Sequence, residues 1–101
     1  MSDRDTARVD RVVAAVAAVE GVIGLHSGPG VPSTHLAGRT VTGLRLGPHS
    51  GKVHVVVRLG DSLLATAEHV RAVATDAAGI PVDVVVGDVT VPQPENQERQ
   101  S

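Results

Sequence analysis

The chain has 101 residues, a formal net charge of -2 and a pI near 6.2, with no Cys, Phe, Tyr or Trp. That composition excludes disulfides, thiolate metal sites and thiol nucleophiles, and it supplies neither the basic field nor the aromatic platforms that hold nucleic acids. A single domain of this length buries roughly 60–65% of the surface its unfolded chain exposes; its core must come from Val, Leu, Ile and Ala, each large side chain contributing roughly 1.5–3 kcal/mol, and support from self-association is expected.

The polar start, residues 1–5, is expected to be flexible and is not a secretory signal, since no apolar core follows a basic patch. The domain then spans residues 6–91. Val9, Val12, Val13, Val16 and Val19 share one helical face, with Asp10 and Arg11 opposite and Ala14, Ala15, Ala17 and Ala18 supplying propensity. Gly21 ends this helix. The apolar run from Val12 to Val19 is far too short to cross a membrane. Val22, Ile23 and Leu25 predict a short strand. Between His26 and Gly38 the Pro and Gly residues at positions 28–32 predict a loop with no regular element. Val41 to Leu46 reads as a strand interrupted by Gly43, and Gly47-Pro48-His49-Ser50-Gly51 predicts a five-residue turn into an antiparallel hairpin.

From Lys52 onward the pattern is clearest. Val53, Val55, Val57 and Leu59 alternate with Lys52, His54 and Arg58, the period of a strand with one buried face. Leu63, Ala67, Val70, Ala74 and Ala77 form the stripe of an amphipathic helix that Gly79 and Pro81 stop. Val82, Val84 and Val86 alternate again, and Gly87 shifts the phase so that Val89 and Val91 follow, as a bulge does. A strand, helix and strand in one sheet are joined by a right-handed crossover, so these strands should be parallel. Residues 92–101 are polar and Pro-containing, and disorder is expected there. The fold class is α+β: a two-layer sandwich of order α-β-β-β-α-β, with two helices on one face of a small mixed sheet of three to four strands. The other face then carries Lys52, His54, Val56, Arg58, Asp83 and Val85, which form the candidate interaction surface.

Three patterns invite chemistry. Gly60-Asp61-Ser62-Leu63 spells the signature of a family of serine esterases and lipases. A serine hydroxyl needs a histidine base, itself oriented by a carboxylate. In that family the base comes from a late Asp-x-x-His element, and here no aspartate is followed three residues later by histidine. The competing reading is that Asp61 or Ser62 caps the second helix. His26, His35, His49, His54 and His69 raise a metal hypothesis, but the first three lie in predicted loops, and His54 and His69 lack an i, i+4 partner. Gly28-Pro29-Gly30 lacks the Lys and Ser/Thr of a phosphate loop. Asp83 with Asp88, and Glu68 with Asp76, read as carboxylates on solvated faces. The expectation is therefore no catalytic residues, no cofactor and no metal.

Three segments carry a resemblance: Val19-Glu20-Gly21-Val22-Ile23-Gly24-Leu25, the strand Val53 to Leu59 closed by Gly60, and Gly79-Ile80-Pro81 running into Val82 to Val89. Across residues 9 to 91 the chain resembles the alkaline shock proteins, the bacterial envelope stress response family that includes the general stress protein of enterococci. It departs from that pattern in lacking a tyrosine before Gly60, in the Pro- and Gly-rich loop from Ser27 to Pro32, and in a short tail. The resemblance implies a non-enzymatic cytoplasmic protein that forms homo-oligomers and lies beneath the membrane through a small membrane-anchoring partner. Richness in Val, Ala, Gly, Arg and Asp, with Lys52 the only lysine, suits a GC-rich bacterium such as an actinobacterium. The alternatives from other classes are a small esterase using Ser62 and a small-ligand or metal-binding domain using the loop histidines.

Overall fold

The computed structural model describes residues 3–60 and 62–91. Helix α1 runs Asp3–Ala17, reaching back into the first five residues that the sequence leaves outside the domain. Val9, Val12 and Val16 are buried along its inner stripe, and Val19 continues that stripe just past its end. The chain then reverses at Gly21, whose φ of 95° is one that a side chain disfavours. Strands β1 (Val22–Leu25), β4 (Leu44–Leu46), β5 (Gly51–Arg58) and β6 (Val82–Thr90) form the main sheet, and helix α2 (Leu63–Ala78) joins the last two. Ser62 caps α2, its Oγ accepting the Ala65 N–H at 3.1 Å, while Gly79 closes it in the left-handed conformation at φ 76°. Asp61 lies outside the described residues.

β5 is the axis of the sheet. β6 runs parallel along all of it, from Gly51↔Val82 to Arg58↔Thr90. Its register slips between Val55 and Val56, leaving Gly87 as the extra residue of a bulge. The other edge of β5 is shared. β1 pairs antiparallel with Val55 to Val57, and β4 pairs antiparallel with Gly51 to Val53. Between them His54 accepts the His26 N–H at 2.8 Å and donates its own N–H to the Gly43 carbonyl at 2.7 Å. Both backbone groups of one strand residue point to one side, so β1 and β4 meet end to end along a single edge.

The expected loop from His26 to Gly38 is only partly irregular, and this is a correction. β2 (Ser33–Leu36) and β3 (Arg39–Thr42) form a separate antiparallel hairpin around Ala37 and Gly38. It is held by the ladder, by Ser33 to Thr42 at 3.3 Å and by an Arg39–Asp10 ion pair to α1. Leu36 is buried in the main core, and the Thr34 hydroxyl donates to the Leu44 carbonyl. The segment from Val41 to Leu46 is therefore two strands, divided at Gly43 between two sheets. The turn from β4 to β5 has four residues, since Leu46 and Gly51 are already paired.

Both helices lie on one face. Val9, Val12 and Val16 of α1 and Val70, Ala74 and Ala78 of α2 close over Val53, Val55, Val57 and Val82, and among the described residues the fully buried ones are all apolar. Two layers satisfy every apolar stripe, as the α+β reading requires.

Candidate interaction surface

The strand period that buries Val53, Val55 and Val57 turns their neighbours to the opposite face, where no helix covers them. There Lys52, Arg58 and Asp83 are exposed, and His54, Val56 and Val85 are half-buried. All six residues chosen from the sequence thus share one surface. The ladder arranges them in rows across the strands: Arg45, Lys52 and Asp83; then His54 and Val85; then Val56 and Asp88; then Arg58 and Thr90. β5 accordingly presents Lys52 and Arg58 while β6 presents Asp83 and Asp88. Arg45, Asp88 and Gly87 join the surface only through the register, which the sequence does not display.

His26 lies just past β1, where the sequence places a loop, but its N–H still pairs with the His54 carbonyl and its ring occupies the space above Gly87, while His35, also expected in a loop, lies in β2. A Cβ built on Gly87 would stand 2.5 Å from His26 Nδ1 and 2.7 Å from its Cγ. Nδ1 is buried without a hydrogen-bond partner. The ring also lies close enough to His54 to act on its charge. Burial, then the Lys52 ammonium, then His26 hold the His54 imidazole below its ordinary pKa, so it is neutral at pH 7. His35 contacts Thr40 Oγ1 at 3.2 Å within the hairpin. Among the described residues no three His, Asp or Glu side chains gather as metal ligands would.

The charges on this surface are uncommitted. Among the described residues Arg45, Lys52, Arg58 and Asp83 form no ion pair. The outer edge of β6 is less available. The Val82 N–H goes to Thr75 Oγ1 at 3.1 Å and the Val89 N–H to Asp88 Oδ1 at 2.8 Å, so side chains occupy two donors that an added strand would use. The serine of the esterase-like motif is engaged as a helix cap, its Oγ accepting a backbone hydrogen bond.

No family model matches the chain, and no curated protein does. Among solved structures, a MamM CTD carrying three substitutions is similar with a TM-score of 0.55 at 13% identity, covering 91% of this chain and 100% of that one. At that identity the likeness concerns the fold. No helix among the described residues is long and apolar enough to cross a membrane.

Proposed function

We propose that this protein is a non-enzymatic interaction module of the alkaline shock, envelope stress response type, working by self-association and by binding a membrane-anchored partner from the cytoplasmic side. The observation that supports the reading is a sheet face left uncovered by a core that is otherwise closed, bearing half-buried valines among unpaired charges. Contact surfaces of modest affinity combine those two features, an apolar centre and a charged rim. The motif that would suggest hydrolysis is used to start a helix.

Replacing Val56 and Val85 together by Glu tests the assignment, because both side chains point away from the core and the fold should persist by circular dichroism. Loss of assembly in sizing experiments, and of partner recovery from detergent-solubilised cells, is the expected result. Unchanged assembly and capture would remove the open face from consideration. Turnover of nitrophenyl esters that disappears in Ser62→Ala would replace the proposal with the esterase.

A further inference from the structure

The geometry points to a second copy of this chain as an occupant of the open face, packed on it about a two-fold axis that runs along β5 and β6. This rests on the reading of that face as an interaction surface and names what it takes. The reason lies in how the charges divide. Arg45, Lys52 and Asp83 form one cross-strand row, Lys52 lying opposite Arg45 in the β4–β5 register and opposite Asp83 in the β5–β6 register, so a like-charged pair shares a single carboxylate and the row keeps an excess cation. Arg45 and Lys52 border an open groove of about 380 Å³ that also reaches Ser50 and Asp83. The basic side chains lie on β4 and β5 and the acidic ones on β6, in adjacent columns of one surface. A two-fold axis between β5 and β6 exchanges those columns, as a self-complementary patch requires.

In that arrangement the partner's Asp83 enters between Arg45 and Lys52, and the reciprocal contact forms at the same time. One rotation thus gives each Asp83 the Arg45 and Lys52 of the other copy in addition to the Lys52 beside it in its own sheet, where none of these groups forms an ion pair within the protomer. His54 faces the partner's Val85 in the next row, and Arg58 approaches the partner's Asp88 further along. The capped donors of β6 favour this face over the edge as the docking surface. β5 is eight residues long, so the patch is roughly 26 Å by roughly 14 Å. That is below the area of standard stable interfaces, and association is therefore reversible and concentration-dependent.

Sedimentation velocity on the full chain tests this with wild type and three variants, each checked for fold by circular dichroism. Wild type forms a reversible dimer. Lys52→Glu and Asp83→Lys each place like charges at two symmetry-related contacts and weaken dimerisation about tenfold or more. Mixing the two single variants in equal amounts restores a dimer, because each mismatch meets its complement across the axis, and Lys52→Glu with Asp83→Lys in one chain restores it too. A wild type that stays monomeric overturns the inference. Single variants that dimerise like wild type, or a mixture that does not recover, overturn it as well. The broader reading is separable through its partner-binding half, which survives any of these results if Val56→Glu with Val85→Glu abolishes capture of the membrane-anchored partner and falls if capture is unaffected.

Discussion

Gly87 shows how one missing side chain shapes this surface. Its backbone dihedrals are open to any residue, since it is absent from the positive-φ glycines, so the demand for glycine comes from space alone. A methyl group there would overlap the Nδ1, Cγ and Cβ atoms of His26, and the ring would have to leave the sheet. Gly87→Ala should cost about 1–3 kcal/mol by urea denaturation, the usual range for overpacking. In a His26→Ala background, where only the tight Cβ contact at 3.1 Å remains, the same substitution should cost much less, and the difference measures the ring contact in a double-mutant cycle. Equal costs in both backgrounds would show that the ring does not rest there. The phase shift at Gly87 is legible in the valine pattern, because two side chains in succession leave the alternation. The tenant of the space above it is not: His26 is distant in sequence, and only the pairing of β1 with β5 brings it over β6.

The elements divide by the same rule. β5, α2 and β6 are readable because each spans at least two periods of its own pattern, with Ser62 and Gly79 marking the helix ends. β1 is short but follows a glycine turn. The β2–β3 hairpin escapes because the Pro and Gly residues just before it dominate the window, although Thr34, Thr40, Val41 and Thr42 around Ala37-Gly38 are the strand-forming types a two-residue turn would join. Its junction with the main sheet is Gly43. There φ is 97°, and an added Cβ would stand 2.6 Å from the His26 carbonyl oxygen and 3.2 Å from that of His54, backbone atoms that cannot swing aside. Gly38 has a similar φ of 82° with nothing within 4 Å. Gly38→Ala should therefore cost only the left-handed penalty of about 1–2 kcal/mol, whereas Gly43→Ala adds a clash where β1 and β4 meet. A loss at position 43 exceeding that at position 38 by at least about 1 kcal/mol is expected in chemical denaturation. Equal losses would mean that the end-to-end junction is slack.

For the molecule as a whole, a core of small aliphatic side chains and an uncovered sheet face make concentration-dependent stability the expected consequence of the proposed dimer. Once the protein is mostly dimeric, each tenfold rise in concentration stabilises a protomer by about 0.7 kcal/mol, which at the sensitivity of a domain this size raises Tm by about 3–5 °C. Acidity should weaken both fold and dimer through His54. Its folded-state pKa lies below the ordinary imidazole value of about 6.5 because of burial, Lys52 and His26. The stability linked to neutral His54 is thus fully present above the ordinary value and is lost as pH falls from there through the lower folded value. The groups around it give the same sign for the dimer, since a protonated His54 joins Arg45, Lys52, Arg58 and His26 on a face whose carboxylates are Asp83 and Asp88. Thermal melts from micromolar to millimolar protein should show a rising midpoint at about pH 7.5 and a lower, flatter one at about pH 5. His54→Gln, which keeps polarity without a titrating ring, should retain more of the concentration dependence at the acid end. A midpoint independent of concentration at the higher pH would mean that the valine core alone supports the fold and that the open face contributes nothing to stability.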